Sequence, residues 1–264
     1  MCRPPVTRPS IARTGLLAMA LASGLWGCTT PPTQTGSTAS TAEPALEKTA
    51  WAQASTLTPD GPSPGWQHQV FGNRKPSRYK ATHHQGRPAL LAEGAGNSLV
   101  RYRVRVAGDR LDRLRFSWFV PQLHPEFDLQ DRDSEDAVAR VILTFDGDRR
   151  GFSGRDRLLS ELAQLVTGEP LPHATLMYVW DHEHPVDTVL DHPSTRRIKM
   201  LVVKSGGRRL GEWVDLQRDV RADYERAFGE PPPTLIGVGL MTDGNNTGTA
   251  PKAWYGPVAL GTRR

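Results

Sequence analysis

The chain has 264 residues, with 33 Lys and Arg, 28 Asp and Glu, a net charge of +5 and two cysteines. This length allows one or two domains with a hydrophobic core. Two cysteines exclude a disulfide-dense scaffold and a Cys-rich zinc or iron–sulfur site. A content of 38% hydrophobic residues excludes a multi-span membrane protein.

The first 27 residues have the pattern of a secretory signal peptide. Arg3, Arg8 and Arg13 precede a short apolar run over residues 15–22, and small residues follow it. The run is too short to span a bilayer, which needs about 20 apolar residues. We therefore predict removal of residues 1–27.

The end of this segment, Leu25-Trp26-Gly27-Cys28, resembles the lipobox of bacterial lipoproteins. The resemblance implies that Cys28 becomes the acylated N-terminus and anchors the protein to a membrane, since two or more chains anchor stably. Thr29 is not the Asp of an inner-membrane retention signal. We therefore expect a lipid-anchored protein on the periplasm-facing side of the outer membrane. The alternative is a secreted protein with an incidental cysteine.

Signal-peptide removal also changes the charge balance. Three arginines and no acidic residue lie in residues 1–27, so the mature charge falls from +5 to about +2. A nucleic-acid partner is therefore not expected.

Residues 28–50 are rich in Thr, Pro and Ser and predict a flexible tether. Residues 51–264 contain no linker and no repeat, which favours one domain. Ten strand-like runs are predicted at 67–72, 90–93, 99–106, 114–120, 137–145, 174–180, 198–205, 212–217, 235–242 and 253–260. Two short helices are predicted, at Arg155–Val166 and Val220–Phe228. The expected fold is mainly β, a β-sandwich or jelly-roll-like single domain with two short helices.

The second half of this domain carries a set of motifs typical of one family. They include Tyr178-Val179-Trp180, Gly211-Glu212-Trp213-Val214, Ile236-Gly237-Val238-Gly239 and Ala253-Trp254-Tyr255-Gly256. Together they resemble the bacterial domain-of-unknown-function family 3047, over roughly residues 65–260. The resemblance implies an envelope protein similar in outline to jelly-roll carbohydrate-binding modules, and it implies no catalytic residues.

The segment 242–248 is the best candidate for a ligand-binding loop. Asp243, Asn245 and Asn246 can hydrogen-bond sugar hydroxyls, and Trp254 and Tyr255 follow shortly after. The alternative is a structural turn, because Asp, Asn and Gly favour turns.

Two further residues complete the predicted ligand set. Trp66 lies near a strand end, where, like Trp254, it could be an exposed platform for a sugar ring. Asp136 begins a predicted strand and could pair with an arginine such as Arg140 or Arg218.

A histidine-rich stretch is the candidate metal site. On a strand, His182 and His184 would project from the same face, and His192 could supply a third ligand for zinc. The alternative is a polar surface loop with solvated histidines.

The acidic run 128–136 could bind calcium, although its spacing does not match an EF-hand. A pair such as Asp133 and Asp136 could also act as general acid and base of a glycosidase. The alternative is a solvated acidic loop. No cofactor is otherwise expected.

The leading hypothesis is a non-enzymatic periplasmic envelope lipoprotein that binds a glycan, such as envelope polysaccharide or peptidoglycan, or another envelope component. The alternative is a periplasmic polysaccharide hydrolase that uses carboxylates or a His-bound metal.

Overall fold

The computed structural model describes residues 46–58, 65–71 and 75–263. The predicted signal peptide, Cys28 and most of the predicted tether lie outside the described residues. The described residues belong to one compact unit and form two sheets.

The larger sheet has seven strands, and every pair in it is antiparallel except one. In spatial order the strands are β1 (Trp66–Val70), β4 (Ser98–Val106), β11 (Thr234–Asp243), β6 (Ala137–Asp146), β7 (Ala174–Asp181), β9 (Thr195–Ser205) and β8 (Val189–His192). The pair β7–β9 is parallel.

The smaller sheet has six strands. Its order is β10 (Trp213–Asp219), β5 (Leu111–Phe119), β12 (Lys252–Tyr255), β3 (Arg87–Glu93) and β2 (Arg78–His84), and β13 (Ala259–Thr262) also pairs with β5.

The two sheets pack face to face around one hydrophobic core. Phe116 of the smaller sheet stacks on Tyr178 of the larger one, with ring centroids 5.8 Å apart. On β4, Val100 and Val104 are buried in this core, while the arginines alternate with them on the outer face. The predicted mainly β sandwich is therefore confirmed.

All the predicted strands are present, with differences at three places. The run predicted at 253–260 is two strands, because Gly256-Pro257-Val258 interrupts the pairing. The sequence pattern also missed β2 and β8. Both are edge strands, whose partly exposed side chains do not produce a clear hydrophobic alternation.

The described residues contain three α-helices, one more than predicted. The second and third are α2 (Gly154–Thr167) and α3 (Val220–Phe228). The additional helix, α1 (Ala50–Ala54), is capped by Thr49 and buries Trp51. Leu46 also packs against the core, so the folded part begins at least five residues before the predicted boundary at residue 51. Among the helices that the structure describes, none has the length and apolarity needed to cross a membrane.

Candidate functional site

A cleft of about 770 Å³ lies between the outer face of the larger sheet and α2. We call α2 the strap and this space the strap cleft. The floor of the cleft consists of outward-facing apolar side chains of the sheet: Leu99, Ile142, Met177, Ile198 and Met241. The roof consists of strap residues: Leu159, Leu162, Ala163 and Val166.

A glycine in the middle of β11 lies among the floor residues. Gly239 lies opposite Arg101 on β4 and Ile142 on β6, so its missing side chain would point from the cleft floor. A Cβ atom placed there would lie 3.5 Å from Cβ of Ile142 and 3.6 Å from Cδ1 of Leu99, which is ordinary van der Waals contact. A small side chain would therefore fit at this position, whereas a larger one would extend beyond Ile142 and Leu99 toward the strap.

The strap is fixed at its N-terminal end to the start of β9. Ser153 caps the helix by accepting a hydrogen bond from the Asp156 backbone N–H. The Asp156 carboxylate in turn accepts a hydrogen bond from the Thr195 hydroxyl at 2.5 Å. This carboxylate is buried, so the contact holds the first turn of the strap against the sheet.

The C-terminal end of the strap is fixed to β4, which lies four strands away from β9 in the same sheet. Gly168 ends the helix in the left-handed conformation. The next residue, Glu169, accepts two hydrogen bonds from the guanidinium of Arg101, at 2.6 and 2.9 Å, and also pairs with Arg103. Arg101 and Arg103, which project from the outer face of the interior strand β4, therefore hold the strap.

These two anchors match the dimensions of the elements that they join. A 14-residue helix is about 21 Å long. The four inter-strand steps from β4 to β9 add up to about 19 Å. The strap thus crosses the sheet, and its apolar stripe faces the cleft and solvent instead of the core: Leu162 is 48% and Val166 is 54% exposed.

A buried charge cluster lies at one end of the strap cleft. Arg140, near the start of β6, is 2% exposed. Its Nη1 donates to Glu135 Oε1 at 2.5 Å, and its Nη2 donates to Asp243 Oδ2 at 3.2 Å. Arg140 Nε lies 3.1 Å from Asp243 Oδ1, in ion-pair contact but without hydrogen-bond alignment. His192 Nε2 lies 3.1 Å from the second oxygen of Glu135.

The pKa values of the two carboxyl groups of this cluster are shifted in opposite directions. Burial raises the pKa of Asp243 to about 7, because the charges of Glu135 and Asp136 add to the desolvation and outweigh the attraction of Arg140. Burial also acts against ionisation of Glu135, but the charge of Arg140 and the contact with His192 lower the pKa of Glu135 to about 2. Glu135 is therefore the main counter-ion of Arg140.

Asp136 supports the loop that follows β11. Its carboxylate accepts hydrogen bonds from the backbone N–H groups of Asn246 and Thr247, and from the Thr247 hydroxyl at 2.9 Å. The predicted pairing of Asp136 with an arginine is wrong, since Arg140 bonds Glu135 and Asp243, and Arg218 bonds Asp223. Asp136 is fully buried and positions the loop rather than facing the cleft.

The predicted ligand residues fall into two groups. Asp243, Asn245 and Asn246 line the strap cleft at its charged end. The aromatic residues of the prediction lie elsewhere: Trp66 is 3% exposed and packs on Trp51, and Tyr255 is 1% exposed.

These aromatic side chains have structural partners. The Tyr255 hydroxyl donates to the Met241 carbonyl between the sheets at 2.6 Å. Trp254 is on the outer face of the smaller sheet, stacked on His84 with centroids 4.0 Å apart. The prediction that Trp66 is an exposed platform is therefore wrong, because Trp51 and the N-terminal segment around it cover the Trp66 side chain.

The three histidines of the predicted metal site do not come together. His184 Nδ1 lies 2.7 Å from Asp181 Oδ2, and His182 Nδ1 lies 3.7 Å from the other oxygen of that carboxylate. His192 contacts Glu135 instead. Within the described ranges, no group of three or more His, Cys, Asp or Glu side chains is arranged to hold a metal ion.

The acidic loop before β6 satisfies much of its own hydrogen bonding. Asp128 Oδ1 accepts from the Gln130 backbone, and Asp131 accepts from the Asp133 backbone and the Ser134 hydroxyl. These are Asx turns. The role of this loop is to bring Glu135 and Asp136 to the end of β6. Calcium and zinc binding stay predictions.

Sequence reasoning missed most of the strap cleft. Arg140 and Glu135 are far from Asp243 in the sequence, and only the pairing of β6 with β11 brings the three residues together. One available signal was the sequence of β6 and β7, in which apolar residues occur on both faces of each strand. Such strands need cover on both faces.

Three comparisons with known proteins complete the description. No curated protein matches the chain. Among solved structures, the family 11 carbohydrate-binding module of the cellulosomal cellulase Lic26A-Cel5E of Clostridium thermocellum is similar, with 8% identity, a TM-score of 0.36 and coverage of 79% of this chain and 94% of that one. A structure titled "CBM4 structure and function" has 7% identity, a TM-score of 0.34 and coverage of 78% and 94%.

The strand pairing described above, rather than these similarities, establishes the fold class. At the level of sequence, the family described as "Protein of unknown function (DUF3047)" matches residues 64–259, which include the strap and every strand of the two sheets except most of β13. The chain is therefore a member of the DUF3047 family.

Proposed function

We propose that this protein is a non-enzymatic ligand-binding domain of the bacterial envelope, and that its ligand occupies the strap cleft. The observation that carries the proposal is the cleft itself. It has a volume of about 770 Å³, an apolar floor, and a strap held at both ends by buried or ion-paired carboxylates. Sites for small molecules commonly have this size and this largely apolar lining.

The charged end of the cleft suits binding better than catalysis. Arg140 is buried and bonded to Glu135 and Asp243, so both of its Nη groups are already committed. Such a network fixes the geometry of the cleft end. It offers no side chain paired with a nucleophile or an open metal position.

A glycan, such as envelope polysaccharide or peptidoglycan, is one ligand class for this cleft. The amide side chains of Asn245 and Asn246 favour it, because amides bond sugar hydroxyls and both residues line the cleft. Stacking on a sugar ring would rest on Phe71, since the Trp and Tyr side chains predicted for that purpose lie outside the cleft.

A polysaccharide hydrolase is the second candidate function. The observation that favours it is that two carboxyl groups contact one guanidinium, which, together with burial, holds the pKa of Glu135 below and the pKa of Asp243 above the usual range. Such a separation of pKa values is typical of acid and base pairs. Asp243 lines the cleft but is only 3% exposed, so little of its carboxyl group is accessible to a substrate. Hydrolysis of envelope polysaccharide that Glu135→Gln abolishes would establish the enzyme.

Anchoring through Cys28 is part of the proposal. An acylated Cys28 would hold the domain on the periplasm-facing side of the outer membrane. Growth with labelled palmitate tests it: the wild-type chain is expected to carry label in the outer-membrane fraction, and Cys28→Ala is expected to carry none. Label retained in Cys28→Ala would refute acylation at this residue.

The experiment for the cleft compares the wild-type protein with Gly239→Leu, which fills the floor. Both are incubated with soluble peptidoglycan fragments, envelope polysaccharides and a lipid extract, and the retained compounds are identified by mass spectrometry. The wild-type protein is expected to retain one class that the variant loses. Equal retention by both proteins, with the variant folded, would show that the cleft is not the site.

A further inference from the structure

The side chains that line the strap cleft differ between its middle and its charged end. In the middle, Leu99 and Met241 are neighbours across β4 and β11, and Ile142 and Met177 are neighbours across β6 and β7. These groups are aliphatic or thioether side chains without hydrogen-bond donors. A sugar placed on them would lose hydrogen bonds from its hydroxyls to water without replacement, which costs free energy.

The roof has the same character. Leu162 and Val166 face the cleft, yet about half of each side chain remains in contact with solvent. Covering such apolar area stabilises a complex by roughly 25 cal/mol per Å². The ligand that this middle part fits best therefore presents CH₂ groups to both roof and floor.

The charged end adds a second requirement. Asn245, Asn246 and Arg132 lie there, beside the cluster of Arg140. Arg132 is exposed and forms no ion pair with the residues that the structure describes. Its guanidinium can bond a carboxylate or phosphate group in two places at once.

From these two requirements, and building on the proposed function, we propose that the ligand of the strap cleft is a single-chain anionic amphiphile. The aliphatic chain lies between the roof at Leu162 and the floor at Gly239. The anionic head group, a carboxylate or a phosphate, contacts Arg132 at the charged end.

The test is a binding titration with cis-parinaric acid, a fluorescent fatty acid, below its micelle concentration. Lauric acid, dodecyl phosphate, monolaurin and maltohexaose then compete with it. We expect saturable binding and displacement by lauric acid or dodecyl phosphate. Monolaurin should displace more weakly, and maltohexaose should not displace. Whichever of the two anions displaces better distinguishes the carboxylate head from the phosphate head.

Four variants locate the site. Gly239→Leu and Leu162→Gln should each weaken binding by about tenfold or more, since one fills the floor and the other makes the roof polar. Leu158→Gln is the matched control, because Leu158 is 57% exposed on the same helix but does not line the cleft. It should bind like the wild type. Arg132→Gln should weaken binding of lauric acid but not of monolaurin.

The outcomes separate the two proposals. Absence of saturable binding, or binding that neither Gly239→Leu nor Leu162→Gln weakens, would overturn the amphiphile. If the wild type instead retains a glycan that Gly239→Leu loses, the amphiphile is overturned and the cleft remains the ligand site. If no compound of any class is retained in a cleft-dependent way, both proposals fail. Leu162 is half exposed, so its substitution keeps the test valid if Gly239→Leu does not fold.

Discussion

Arg140 and Asp243 lie 103 positions apart in the sequence, and their side chains form a buried ion pair at the end of the strap cleft. Strands β6 and β11 are neighbours, and their antiparallel pairing places the start of β6, with Arg140, beside the end of β11, with Asp243. The pair therefore connects the loop after β11 to the loop before β6, the two segments that make up the charged end of the cleft.

Arg140→Ala should be strongly destabilising. It leaves the carboxylates of Glu135 and Asp243 without their common counter-ion in a buried place, and breaking a buried pair in this way costs about 3–5 kcal/mol. Urea unfolding measures the loss. Arg105→Ala is the control, since Arg105 is exposed on the same sheet and should change stability by less than about 0.5 kcal/mol. Similar values for both variants would show that the cluster contributes little.

Asp243 should make stability fall as the pH rises. Its pKa is about 7 in the folded protein and about 4 in the unfolded chain, so the folded state holds the proton more tightly between these values. The contribution is fully present below about pH 4 and is lost as the pH rises through about 7.

Asp243→Asn carries no such proton and provides the comparison. As the pH rises from 4.5 to 7, the unfolding free energy of the wild type should decrease relative to that of this variant, by up to about 1.4 kcal/mol per pH unit. Urea titrations at four pH values measure it. A difference that does not change with pH would contradict the raised pKa.

Asp136→Ala should release the loop after β11. The carboxylate accepts bonds from two backbone N–H groups and a hydroxyl of residues 246–247, and their loss costs about 2–4 kcal/mol in total. Hydrogen exchange followed by mass spectrometry should show faster exchange in residues 243–249. Asp133→Ala, in the exposed part of the same acidic loop, should leave that exchange unchanged. Unchanged exchange in Asp136→Ala would contradict the anchoring role.

Glu169→Gln should loosen the strap without unfolding the domain. The charge that holds Arg101 and Arg103 is removed, but Glu169 is partly exposed, so stability should fall by no more than about 1 kcal/mol. Exchange in the last turns of the strap should nevertheless become faster. Glu161→Gln, an exposed position of the same helix, serves as the control. Equal protection in the two variants would mean that Glu169 does not hold the strap.

The strands with one buried face could be predicted from the sequence, because alternation is a local signal. The residues of β4 show it, with buried Val100 and Val104 between outward arginines. The bounds of α3 could also be predicted, since Asp219 and Gly229 cap it by local hydrogen bonds and a left-handed turn.

The strap cleft could not be predicted in the same way. The apolar stripe of α2 indicates a buried helix face, and nothing local distinguishes packing on a core from facing a cleft. Arg140 and Glu135 became part of a site only through the order of β6, β7 and β11. The exposure of Trp66 was predicted wrongly for a similar reason. Trp51 buries it, and Trp51 lies on a helix too short to show a periodic pattern in the sequence.

The most direct test of the strap cleft uses its methionines. Met177 and Met241 line the cleft, whereas Met200 is fully buried and does not. In protein labelled with ¹³C at the methionine methyl groups, addition of lauric acid should shift the NMR signals of Met177 and Met241 more than that of Met200. Saturable shifts at Met177 and Met241 that Leu162→Gln weakens are the predicted result. Binding of lauric acid that leaves both of these signals in place would contradict the account.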